Sequence, residues 1–328
     1  MLRHRNEFPV EGTLPAFDGA TAWLNSAPLT PEGLTGRVVL ASFGTYTCIN
    51  WRRSLPYVRA WADKYAGKGL VVVGIQTPEF EFEGALDKEE RAIKEIDVHY
   101  PVVVDNDYAI WQAFDNHYWP ALYFVDAEGG IRHHHFGEGE YEESEMVLQM
   151  LLREAGAAVE QGLVQIEPSG AEAQPDWYSL GSAENYLGYG RANGFASPGG
   201  AALDEGHVYS VPAQLRRNQW ALSEDWRIGS VPALLDHPGG SISYQFHARD
   251  LHLVMGPPVH QGPVRFRVTL NGEPPGPAHG VDVDEDGNGT ADYQRMYQLI
   301  RQPGPIDDRL FKIEFLDRGV EAFVFTFG

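Results

Sequence analysis

"RVVLASFGTYTCINWRRSLPYVRAWADKYAGKGLVVVGI", residues 37–75, reads as strand, turn, helix and strand in succession. The apolar runs "RVVLASF" and "GLVVVGIQ" are too short for helices and rich in β-branched residues, whereas "SLPYVRAWADKYA" between them carries helical spacing. The first strand ends near Phe43 and the helix begins close to Cys48, so the sulfur sits among the unpaired N–H groups of a first helical turn. Those groups and the helix dipole favour thiolate over thiol, and Arg52 and Arg53 add positive charge one turn on. Cys48 is therefore expected to be partly accessible and to ionise below the ~8.5 of an ordinary thiol. Dithiol sites place a second cysteine three residues on; Trp51 stands there. A lone cysteine is also commonly a small buried apolar residue, and that reading stays open.

The same alternation continues outward. "YPVVVD" and "ALYFVDAEGGIRHHHF" read as strands, "LDKEERAIKEI" and "ESEMVLQMLLREAG" as helices, which makes residues 1–155 an α/β domain. Residues 156–176, with "AAVEQGLVQIEPSGAEAQPD", are rich in Gly, Ala, Glu, Gln and Pro and read as a linker. From Trp177 to Gly328 the pattern is short alternating strands broken by Gly and Pro, with Asn271-Gly272 as a hairpin turn signal, so an all-β, jelly-roll-like sandwich is expected.

The 328 residues carry 46 acidic and 25 basic side chains, a net charge of -21. That balance repels phosphate backbones, and nucleic acid is not an expected partner. The start "MLRHRNEFPVEG" has no apolar signal core, and the longest aliphatic run, "GLVVVGI", is too short to span a bilayer. Read as it stands the chain is cytoplasmic; a signal removed beforehand would leave the same picture with an extracytoplasmic site. With one cysteine no intrachain disulfide forms.

"TYTCINW", "VVGIQTPEF", "HYPVVVDNDYAIWQAF", "NHYWPALYFVDAEGGIRHHHFGEGEY" and "MLLREAG" together resemble the thioredoxin-like redoxin domains of the TlpA and DipZ type, over nearly all of residues 12–155. "LGYGRANGFASP", "FHARDLHLVMGP" and "YQLIRQ" resemble the β-sandwich at the C-terminus of DipZ-type proteins, often likened to carbohydrate-binding modules. The resemblance implies a thioredoxin fold and a cis-proline at Pro120, after Trp119, facing Cys48, with Thr45, Thr47 and Trp51 shaping and walling the pocket. Three departures bear on chemistry. Ser42 occupies the place of the buried acid of thioredoxins, Gly44 that of a tryptophan, and Trp51 that of the resolving cysteine. Dithiol reductase activity is thereby excluded. What remains is single-thiol chemistry at Cys48 with a thiol, disulfide or peroxide substrate and an external thiol as reductant. The threonine three residues before Cys48 also matches a peroxiredoxin, but Ala41 stands where that family has proline. The competing reading is a redox-inactive binding protein whose two domains hold a glycan or a protein.

Three further groups invite a binding role. The strand "HHH", residues 133–135, splits between two sheet faces, which suits a solvated strand better than a metal site. Trp177, Tyr178, Trp220 and Trp226 could offer sugar-stacking faces, although most such residues in a sandwich are core. In "DVDEDGNGTADY", Asp282, Asp284, Asp286, Asn288 and Asp292 are a candidate calcium set with Gly287 at the turn; Tyr293 stands where a closing glutamate belongs, so a plain polar turn is the rival.

Overall fold

The computed structural model describes residues 8–328, which form two compact units, residues up to 173 and residues 174–328. The first is built on a seven-stranded sheet. Its strands in chain order are β1 (Gly12–Thr13), β2 (Ala22–Leu24), β3 (Val38–Gly44), β4 (Leu70–Gln76), β5 (Val102–Val104), β6 (Ala121–Val125) and β7 (Gly130–Phe136), arranged 1-7-6-3-4-5-2. Strand β3 is buried along its whole length, as its unbroken apolar run requires. It pairs parallel with β4 and antiparallel with β6. The helices are α1 (Ile49–Tyr65), α2 (Leu86–Glu95), α3 (Ala109–Ala113) and α4 (Tyr141–Glu154). One face of the sheet packs Phe43, Ile75, Val103, Tyr123, Trp111 and Phe114 into a single core. Period-two alternation turns Ser42, Gly44 and Gln76 to the opposite face.

Residues 157–173 contain only the short 3-10 turn Gly170–Glu172 and are tied to this unit by polar contacts. Lys64 Nζ donates to the Gly162 carbonyl, and the Arg59 guanidinium forms two bonds of 2.7 and 2.8 Å with Glu172.

The second unit is all β. Strand Trp220–Ile228 belongs to both of its layers: Trp220–Ser223 pair with Tyr244–Ser241, and Trp226–Ile228 with Leu235–Ala233. The result is a nearly closed, barrel-like sandwich filled by side chains such as Trp220, Trp226, Tyr244, Phe266, Phe315 and Phe325. Asn271 and Gly272 both have positive φ, 52° and 87°, and Leu270 N–H donates to the Glu273 carbonyl at 2.8 Å, so the expected tight turn forms.

Candidate functional site

Strand β3 ends at Gly44, and Thr45 and Tyr46 turn the chain into α1. Cys48 is the N-cap of that helix with extended backbone (φ -71°, ψ 114°), its N–H bonded to the Thr45 carbonyl at 3.1 Å and its carbonyl accepting from Arg52 N–H at 3.0 Å. The half-buried sulfur lies 4.0 Å from the carbonyl oxygen of Trp119, and the Trp119–Pro120 bond is cis, the state the resemblance implies. Trp119 is held by its indole N–H on the Thr77 carbonyl, 3.1 Å, and by Trp111, 4.3 Å between ring centres. Cys48, Trp119 and Pro120, far apart in sequence, therefore meet at the head of α1.

Thr45 and Thr47 point inward and are buried. Thr47 Oγ1 donates to Glu83 Oε1 at 2.5 Å, and the Thr45 hydroxyl also bonds this carboxyl. The other oxygen, Oε2, accepts the N–H groups of Glu79 (2.7 Å) and Phe80 (2.9 Å). Burial pushes the Glu83 carboxyl up from its ordinary range, and the bonds from Thr45, Thr47 and Phe80 pull it back. Glu89 on α2 is buried as well; burial first, and then the charge of Glu83, raise it well above the ordinary carboxyl range. Neither acid was singled out from sequence. The available signal was an acid in "EFEFEG" flanked by phenylalanines that bury the turn.

Trp51 is 1% exposed and lies directly over Gly44. A Cβ added to Gly44 would stand 2.2 Å from the indole Cδ1 and Nε1, far inside contact distance. The two departures are thus one packing event, because the missing side chain at 44 is the space that the indole at 51 fills. Below it, Ser42 Oγ and the Gln76 amide are buried with no hydrogen-bond partner among the described residues. Arg53 departs from the expectation that both arginines support the thiolate. Its guanidinium is 2% exposed and is paired at 3.0 Å with Glu138, itself 8% exposed, so its charge is matched. That pair ties α1 to the segment whose Gly137 N–H bonds the Pro120 carbonyl at 2.9 Å.

Comparison with known proteins agrees with this geometry. Residues 11–134 match the AhpC/TSA family and residues 182–328 the thioredoxin-like C-terminal domain. Protein DipZ of Mycobacterium tuberculosis is 36% identical over 251 residues, 75% of this chain and 35% of DipZ. The thiol-disulfide oxidoreductase YkuV of Bacillus subtilis is 34% identical over 125 residues, 38% of this chain and 83% of YkuV. This chain belongs to the thioredoxin-like redoxins of the TlpA/DipZ type. The redoxin spans about a third of the length of its DipZ relatives. A solution structure of a thioredoxin-like protein in the oxidized form is 32% identical to it, with a TM-score of 0.41 over 44% of this chain and 97% of that one.

The other sequence candidates fare differently in the redoxin. Trp220 and Trp226 are fully buried core residues and offer no face to a sugar, while Trp177 and Tyr178 are exposed. His134 bonds Glu11 at 2.6 Å and His135 approaches Glu140 at 3.5 Å; among the described residues no group of three or more His, Cys, Asp or Glu side chains could hold a metal. Asp282, Asp284 and Asp292 of the 282–292 loop are engaged within the loop or by the strand Arg295–Arg301 that follows it. Asp282 pairs with Arg295 at 2.7 Å and accepts Gln298 N–H, and Asp292 accepts the Tyr297 hydroxyl at 3.0 Å. Asp284 accepts Asn288 N–H at 2.7 Å, and that bond holds its carboxyl below the usual range. Asp284, Asp286 and Asn288 hence build a polar turn around Gly287 at φ 89°. Millimolar calcium is expected to leave the melting temperature unchanged, where a bound ion would raise it by linkage; a rise abolished by Asp284→Ala would overturn this. Among the described residues no helix is long and apolar enough to cross a membrane.

Proposed function

We propose that this redoxin performs thiol–disulfide chemistry with a single cysteine, Cys48, and an external thiol. The thiolate attacks one sulfur of a disulfide, the S–S bond breaks, and the departing half leaves as a thiolate while Cys48 keeps the other half as a mixed disulfide. An outside thiol then attacks that bond, restores Cys48 and carries away the held half. With a peroxide the same sulfur takes one oxygen to become a sulfenic acid, releasing water or an alcohol, and needs the same outside thiol. The carrying observation is the half-buried sulfur at the N-cap of α1 beside the cis Trp119–Pro120 bond, with an indole where a second sulfur would close the cycle.

The test uses 5,5′-dithiobis(2-nitrobenzoate) on the native protein. One thiolate is expected to be released per chain, leaving an adduct that persists until dithiothreitol is added, and Cys48→Ser is expected to release none. A native protein that releases nothing until it is unfolded would sink the reading.

A further inference from the structure

The turn that ends in Cys48 is gripped from a separate element. Glu83 lies in the 3-10 turn Glu81–Gly84 after β4, is 2% exposed, and collects four donors: the hydroxyls of Thr45 and Thr47 and the N–H groups of Glu79 and Phe80. A carboxylate accepts at both oxygens, so four converging donors suit the ionised form and no neutral isostere. Thr45 and Thr47 flank Tyr46, and the Thr45 carbonyl holds Cys48 N–H. Side chains and backbone of the same three-residue turn are therefore fixed together, 36 residues in sequence from the group that fixes them. We propose that Glu83 is the positioning residue of the Cys48 site: through Thr45 and Thr47 it fixes the turn that presents the thiol, and it places a buried carboxylate beside that turn from the loop after β4. This rests on the thiol-chemistry reading above. The ionisable groups that bear on Glu83 are Glu79 beside it, Glu89 on α2 and Tyr108 at the head of α3.

The experiment follows the rate of Cys48 alkylation by iodoacetamide against pH in the full chain. In that reaction the sulfur–carbon bond forms as iodide leaves, and only the thiolate reacts. Glu83→Gln removes the negative charge and is expected to move the midpoint down by about one pH unit. Thr47→Val removes one of the donors that keep Glu83 ionised and moves it less, in the same direction. Thr47→Ser, which keeps the hydroxyl, restores the midpoint, and the double variant E83Q/T47V matches E83Q alone because no carboxylate is left for Thr47 to keep ionised. A midpoint unmoved in E83Q, with only the melting temperature lowered, overturns the proposal; should E83Q fail to fold, an unmoved midpoint in T47V does so. A Cys48 inert at every pH in the unmodified protein removes the thiol-chemistry reading as well, whereas a reactive thiol with an unmoved midpoint removes only this inference.

Discussion

Replacing Trp51 by cysteine is expected to let this protein resolve its own mixed disulfide, giving a weak dithiol reductase activity that needs no outside thiol to release the bound half, and to lower its stability by about 3–5 kcal/mol. Position 51 is the third residue of α1 and Cys48 its N-cap, so the two side chains share a face one turn apart, within the Cα separation of about 5–6 Å that disulfides span. The neighbouring cis-proline segment needs no change. Activity stays weak because Ser42 leaves the second sulfur without the acid that moves its proton. The stability loss follows from burial: Trp51 is 1% exposed, and its departure leaves a void over Gly44 that a thiol does not fill. Urea unfolding of the reduced variant measures the loss, and insulin-disulfide reduction measures the gain. A folded variant whose two thiols both stay reduced under mild oxidants would show that this turn has lost redoxin geometry.

The second large effect concerns pH. Glu89 is buried, its Oε1 finds no hydrogen-bond partner among the described residues, and its carboxyl sits well above the ordinary range because of burial and then the charge of Glu83. A raised acid binds its proton more tightly in the folded than in the unfolded chain. Stability therefore falls as pH rises from the unfolded value, about 4.3, through the folded one, and below that window the group contributes nothing. Glu89→Gln removes the ionisation. It is expected to raise the melting temperature by several degrees at pH 8 and to leave it nearly unchanged at pH 4. Equal shifts at both pH values would mean that packing, and not charge, governs the site.

Sequence periodicity was sufficient for the strand–turn–helix–strand that carries Cys48, for α2 and α4 within about two residues, and for the division into an α/β and an all-β part. It missed β1, β2 and the five-residue α3, which are too short to show a period. The site was legible where it is local. Cys48 at a helix head follows from its neighbours, and Pro120 came only through resemblance. Its supports were not legible, because they are contacts at long range: Thr47 to Glu83 across 36 residues and Arg53 to Glu138 across 85. Residue types alone suggested that Arg53 would act on the thiol; only the fold brings it the carboxylate that neutralises it.

The indole lying over Gly44 also gives this site a direction in time. While Trp51 is present, any side chain at 44 must collide with it, since even a single carbon would stand 2.2 Å away. Introducing a tryptophan at 44 is therefore closed until position 51 has changed, and changing 51 alone passes through a less stable protein. A chain with both residues in place behaves as behind a ratchet: the route to a two-cysteine site with a tryptophan at 44 has one permitted order of steps, and the first of them runs uphill.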